Sequence, residues 1–292
     1  MVVRGIPFHS QTQHMYESFV TASDGKRLRV FRGDWREAKP FLTLILPFGL
    51  RLDAAGTLCA ILSGEFNVVT WQGRSLCDQP PAAHESGMTP EVHVQDMCSV
   101  LDALGVRKTD VVGFCSGAGI ALVAARIEGH RIDRLALVCG EYMLSPAVCP
   151  QSNFQREVDS LLPLAAESLN YAAALCEKLT ASRVGVPAKT EFDEEVLVPF
   201  SSAARLHRHG LNYLSYRGTD FMTLAGEVPH RTRVISTDGD EQVCPASSRV
   251  IAALLRNAER HVVVPGDHYE ILREKNAVND SIIEFLGRRE AV

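Results

Sequence analysis

Residues 110–122 read DVVGFCSGAGIAL, and within them Gly113 and Gly117 stand two positions either side of Cys115. A G-x-nucleophile-x-G turn between a strand and a helix forces its central residue into a strained backbone and projects that side chain beyond the strand end. The flanking positions must be small, because strand and helix approach closely there. A serine, Ser116, stands next to the cysteine, and serine is the more usual nucleophile of such a turn. The size requirement separates them. Ser116 would be flanked by Phe114 and Ala118, and Phe114 is too bulky, so Cys115 is the expected nucleophile. The backbone N–H of Ser116 then becomes one oxyanion donor.

A thiol nucleophile needs a base. Behind such an elbow the chain order is nucleophile, acid, histidine, with the last two on loops after late strands. VISTDGDEQV, residues 234–243, places Asp238, Asp240 and Glu241 after an apolar run. Asp240 is preferred, because Val243 returns the chain to the core shortly after it, and Asp238 comes second. VVVPGDHYEIL, residues 262–272, places His268 on the next such loop. His268 is expected to pair with the Cys115 thiolate, and Asp240 to fix its tautomer. The second oxyanion N–H should come from the loop after LTLIL, at Phe48 or Gly49. A lone G-x-C-x-G carries little weight, and a lone histidine after a strand is usually a surface or core residue. The three together, in order and each at a strand end, read as a catalytic constellation.

These residues need a scaffold, and the chain supplies an alternating one. PFLTLILPFGLR is a continuous apolar run, as in a strand covered on both faces. ESFVTASDGKRLRVFRG precedes it and reads as two strands joined at Asp24-Gly25. AAGTLCAILSGEF has helical spacing and NVVTWQG is the next strand. In PEVHVQDMCSVLDALGV, Val94, Met97, Val100, Leu101 and Leu104 share one helical face. Strand and helix alternate from residue 41 to 140, which predicts a parallel, doubly wound α/β sheet. The alternation resumes after residue 220. Between them, residues 146–219 look helical throughout. The expected organisation is therefore a core of residues 1–145 and 220–292, with residues 146–219 as a helical lid.

The chain has 292 residues, is 46% hydrophobic and carries a net charge of -5. An acidic balance argues against non-specific nucleic-acid binding. No apolar run approaches the roughly 20 residues of a membrane span. The N-terminal residues show no signal-peptide core, so a cytoplasmic protein is expected. Eight cysteines are scattered, with no C-x-x-C and no Cys/His pair at ligand spacing, so neither a zinc site nor any other metal is expected. Most sit among apolar neighbours and read as small core residues.

DALGVRKTDVVGFCSGAGIALVAA, STDGDEQVCP and VPGDHYEIL resemble the signature regions of the α/β-hydrolase family. The resemblance spans about residues 20–287 and implies an eight-stranded, mostly parallel sheet with the site beneath the lid. LPFGLRLDAAGTLCAILS and LVCGEYML resemble, more loosely, the acyl-transferring thioesterases of bacterial bioluminescence. Two departures stand out. Pro47-Phe48 replaces the family's usual His-Gly of the oxyanion loop, and cysteine replaces serine at the elbow.

Cysteine at this position forms a thioester, so accepting an acyl group from a pantetheine thiol is close to thermoneutral and the group stays activated for a second thiol. The best match within the family is the cysteine-elbow aminoacyltransferases of coronamic-acid and syringomycin assembly. That resemblance implies phosphopantetheinyl carrier proteins as partners and no cofactor beyond the substrate's own phosphopantetheine. Hydrolysis of a thioester, ester or lactone is the alternative enzymatic reading, and a receptor or scaffold on a retired hydrolase fold is the non-enzymatic one. On the substrate side, RLHRHGLNYLSYRG gathers Arg205, His207, Arg208, His209 and Arg217, which could meet a phosphate or an acidic carrier helix. Phe114, Phe200, Tyr213, Tyr216 and Phe221 are candidates to contact an acyl group.

Overall fold

The computed structural model describes residues 4–6, 15–78, 87–182 and 190–287. In chain order the strands and helices are β1 (Arg4–Ile6), β2 (Met15–Thr21), β3 (Arg27–Arg32), β4 (Phe41–Ile45), α1 (Gly56–Leu62), β5 (Asn67–Trp71), α2 (Pro90–Ala103), β6 (Thr109–Phe114), α3 (Ser116–Ile127) and β7 (Ile132–Val138). There follow α4 (Asn153–Glu167), α5 (Leu169–Ser182), α6 (Asp193–Leu197), α7 (Ala203–Arg217), α8 (Phe221–Glu227), β8 (Arg231–Thr237), α9 (Ala246–Leu254), β9 (Ala258–Val264) and α10 (Ala277–Gly287).

The strands form one sheet in the order β1-β2-β3-β5-β4-β6-β7-β8-β9. Pairing is antiparallel from β1 through β5 and parallel from β5 to β9. Strands β2–β9 are the eight-stranded, mostly parallel set that the family resemblance implies. The short edge strand β1 is an addition that the sequence reading did not foresee. Every residue of β5 and of β6 is buried, as continuous apolar strands under helices on both faces must be.

On one face, α2, α3, α8 and α9 close a core that includes Val94, Met97, Val100 and Leu101, the helical stripe expected from their spacing. On the other, α1 and α10 bury Leu58, Cys59, Leu62, Ile282 and Phe285. Cys59 is fully buried and its thiol is pushed up to about 12 by desolvation, which makes it an inert core residue. The β2–β3 hairpin turns at Asp24-Gly25, where Gly25 takes φ +83°.

Residues 146–219 hold α4–α7, of which α4, α5 and α7 pack into a small core of their own around Leu162, Ala165, Ala172, Leu206 and Tyr213. α4 begins with a capping box in which Ser152 and Gln155 satisfy each other's backbone N–H groups. α7 fastens this layer to the body. The Tyr216 hydroxyl donates to the carbonyl of Glu141, and the Asn212 side chain meets His93 Nε2 at 2.9 Å. Among the described residues, no helix is long and apolar enough to cross a membrane.

Candidate active site

Cys115 lies between the end of β6 and the first residue of α3, with φ 53° and ψ -122°. A non-glycine residue held there costs on the order of 1–3 kcal/mol and persists only where its surroundings over-determine it. They do. The Cys115 N–H donates to Val138 at 2.9 Å, and its carbonyl accepts from Ala118 at 3.0 Å and Glu141 at 3.2 Å. A β-carbon on Gly113 would lie 2.5 Å from the Gly117 carbonyl oxygen and 2.7 Å from Ala118 Cα. The size argument that selected Cys115 over Ser116 is thus visible as backbone against backbone.

Asp240 and His268 follow β8 and β9. His268 Nδ1 lies 2.7 Å from Asp240 Oδ2, and the other carboxylate oxygen accepts from the backbone of Gln242 at 2.9 Å and Val243 at 2.8 Å. Those two bonds lock the acid's rotamer. The loops are laced together as well: Gly239 donates to the Gly266 carbonyl at 2.9 Å, and Gly266 donates to Asp238 Oδ1 at 3.2 Å. Asp238, the second choice from the sequence, therefore braces the loop from an exposed position, while the Asp240 side chain is 2% exposed.

The His268 ring packs beside Phe114 and edge-on to Tyr269, hydrogen-bonds Asp240 and lines the same pocket as Cys115. Burial alone would depress its basicity. The interactions with Asp240 and Cys115 outweigh burial and raise its pKa well above the usual imidazole value. The ring is thereby equipped to carry a proton beside the thiol.

Phe48 directs its backbone N–H at the start of α3, where it donates to Ser116 Oγ at 3.2 Å. Ser75 Oγ anchors the Phe48 carbonyl from behind, and the Phe48 ring stacks on His93 with centroids 5.1 Å apart. Ser116 supplies the first N–H of α3, so its amide and Phe48 flank the space in front of Cys115, at the positive end of a helix. Gly49 sits against the segment between α6 and α7, and a β-carbon there would lie 2.4 Å from Pro199 Cγ.

Residues 75–274 match the model of the alpha/beta hydrolase fold. The chain belongs to the α/β-hydrolase family. Among known proteins, it is 27% identical to the protein named carbamate hydrolase RutD of Caulobacter segnis, over 77% of this chain and 83% of that one. It is 26% identical to an L-allo-isoleucyltransferase of Pseudomonas savastanoi pv. glycinea, over 87% of this chain and 89% of that one. Among solved structures, a hydrolase from Pseudomonas aeruginosa PA01 superposes with a TM-score of 0.70 at 24% identity, covering 93% of this chain and 98% of that one, which speaks to the fold alone.

In this α/β-hydrolase, Cys115, Ser116 and His268 open into a pocket whose far side is lined by residues of α4, α6 and α7. Of the residues expected to contact substrate, Tyr213 and Phe200 line it. The Tyr213 hydroxyl is turned to Asp159 at 2.6 Å. The other expectations need correcting. Phe114 is fully buried under His268 and Tyr269, so it supports the histidine instead of touching substrate. Tyr216 is fully buried between Phe48 and Phe221, and Phe221 itself is core. The basic cluster of α7 is dispersed by the helix's own rotation. Arg205 pairs with Asp78 at 2.6 Å, Arg217 with Asp159 at 2.9 Å, and Arg208 is 1% exposed. His209 alone of that cluster reaches the pocket, and burial lowers its pKa to about 4, so it faces substrate as a neutral ring.

Among the pocket residues that the sequence reading missed, Glu141 stands out. Glu141 lies in the turn after β7, 8% exposed, with Oε1 accepting from the Met143 N–H at 2.8 Å and Oε2 from Gln155 Nε2 at 2.5 Å. Its signal in LVCGEYML is a single acid inside an otherwise apolar strand end. Among the described residues, one group has metal-ligand spacing: Cys139, Asp240 and His268 place ligand atoms within 4.8 Å of one another. Burial and the nearby Asp240 charge push the Cys139 thiol up to about 12, and the His268 nitrogen facing Asp240 is already engaged. The donor set thus lacks the ready thiolate that a metal would want.

Proposed function

We propose that this chain is an acyl- or aminoacyltransferase that passes a thioester-bound acyl group from a phosphopantetheinyl carrier, through an acyl-enzyme on Cys115, to a second thiol. The observation that carries the proposal is a cysteine, where serine is usual, in an elbow whose acid and histidine are otherwise complete. Similarity to an L-allo-isoleucyltransferase over most of both chains supports it. The Cys115 sulfur attacks the thioester carbonyl, and its proton passes to His268. The tetrahedral oxyanion is met by the Ser116 N–H and by an N–H of the Phe48-Gly49 loop. Collapse breaks the carbon–sulfur bond to the pantetheine, and the proton on His268 goes to the departing thiolate. Asp240 holds the imidazole in the tautomer that both steps need. A second thiol reverses the sequence. Carrier proteins are the proposed partners and the cytoplasm the proposed compartment.

Incubation with an acyl-loaded carrier should add the acyl mass to Cys115 in the intact-protein mass spectrum, and Cys115→Ala should remain unloaded. A variant that loads or turns over like the wild type would sink the proposal. The similarity to RutD favours hydrolysis as a second reading. Under it, free acid appears at a rate indifferent to added acceptor carrier; under transfer, the second carrier captures the acyl group.

A further inference from the structure

Among the described residues two carboxylates line the pocket, and they are served differently. Glu195 has its own cation, since the Arg51 guanidinium binds both its oxygens. Among the described residues, Glu141 has no lysine or arginine partner and none lines the pocket. Its two hydrogen bonds, from Met143 and Gln155, use two of about four acceptor positions on a carboxylate. Around it the walls are apolar, including Met143, Leu144, Phe154 and Val158. Burial raises its pKa, as expected for a carboxyl held out of water with no lysine or arginine beside it. Such a group is costly unless something charged arrives to meet it.

Its position is also specific. The Glu141 N–H donates to the carbonyl of Cys115, and its carboxyl feels the charges of His268 and Asp240. The turn that carries it is strained, with non-glycine residues Cys139 and Met143 at φ 45° and 50° on either side. Gln155 of α4 steadies the carboxyl from the lid side. With its backbone bonded to Cys115 and its carboxyl within electrostatic reach of His268, Glu141 favours a group close to the carbonyl under attack over one at the far end of an acyl chain. In an aminoacyl thioester, the α-ammonium is on the carbon next to that carbonyl.

We infer that Glu141 recognises the α-ammonium group of the substrate, so that the groups carried on Cys115 are aminoacyl rather than simple fatty acyl groups. This rests on the acyl-enzyme reading above and narrows its substrate class. A fatty acyl group would leave the carboxyl facing methylenes, whereas an ammonium completes its ionic and hydrogen-bonding requirements.

The test offers the wild-type protein a panel of N-acetylcysteamine thioesters of apolar amino acids, each beside its counterpart with hydrogen in place of the amine. Loading of Cys115 is followed by intact-protein mass spectrometry. The best aminoacyl thioester should load about 10- to 100-fold more efficiently than its counterpart, the range expected for a charged hydrogen bond, with the difference lying in KM. Glu141→Gln should collapse that ratio towards one, and Glu141→Asp should recover part of it. A wild-type protein that loads both members of every pair equally overturns the inference and leaves acyl transfer standing, as does a folded Glu141→Gln with an unchanged ratio. If no thioester loads Cys115, the acyl-enzyme reading falls and takes this inference with it. Should Glu141→Gln fail to fold, the wild-type ratio decides.

Discussion

Gly117 lays its bare α-carbon against the end of β4: a β-carbon there would stand 2.1 Å from the carbonyl oxygen of Ile45. Neither partner can yield, because one is the first turn of α3 and the other is the central strand beside the elbow. Gly117→Ala should destabilise the protein by about 2 kcal/mol or more, the range of a core overpacking defect. Urea unfolding monitored by circular dichroism measures it, and a loss below about 0.5 kcal/mol would contradict the close approach.

Asp240 orients His268 through a buried contact, whereas Asp238 braces a loop from an exposed site. Asp240→Asn should therefore lower kcat by roughly 10³- to 10⁴-fold, the scale on which the orienting acid acts in a triad. Asp238→Asn should cost about tenfold at most, since it removes only one exposed brace. Comparable losses in the two variants would mean that the acid has been assigned to the wrong carboxylate.

The raised pKa of His268 links stability to pH in a fixed direction. A basic group whose pKa is higher folded than unfolded stabilises fully below its unfolded value of about 6.5 and loses that contribution as pH rises through its folded value. The stability gap between wild type and His268→Ala should accordingly be widest near pH 6 and narrow under alkaline conditions. Denaturant midpoints across that range are the readout, and a gap that widened with pH would reverse the sign.

Arg74 is buried, with its Nε and Nη2 on Asp96 at 2.6 and 2.5 Å and its Nη1 on Asp24 at 2.6 Å. Removing it takes the guanidinium away from both carboxylates, so Arg74→Ala should destabilise by about 3–5 kcal/mol. Its neighbour Ser75 anchors the Phe48 carbonyl. Activity should fall before global unfolding as denaturant is added to this variant, which parallel activity and circular dichroism titrations would reveal.

Cys115→Ser tests the choice of nucleophile separately from its presence. A serine ester gives up part of the activation that a thioester keeps, so this variant should shift product from acylated acceptor towards free acid. Counting both products with a saturating second carrier checks this. An unchanged partition would mean that the acceptor, not the nucleophile, sets the outcome.

Local rules carried the reading of the sequence a long way. Gly113, Gly117 and Cys115 could be placed because a strand-to-helix elbow imposes steric demands within five residues. Asp240 could be preferred over Asp238 because the chain must re-enter the core at Val243, whose N–H indeed binds the acid. The α2 stripe was legible because a helix repeats every 3.6 residues. The edge strand β1 was not: three residues carry too little periodicity to declare themselves.

What the sequence by itself determined is the chemistry available at the elbow and the alternating scaffold that brings Cys115, Asp240 and His268 to neighbouring strand ends. Those follow from spacing along the chain. Only the tertiary structure decided what surrounds them. Whether an arginine of α7 meets a pocket or an aspartate depends on how the helix is rotated against α4 and the sheet, and that rotation comes from the packing of Leu206, Tyr213 and Tyr216. Glu141 likewise became visible only in three dimensions. Its burial beside the cysteine, with no lysine or arginine partner among the described residues, arises from distant segments folding around it, which no local pattern records.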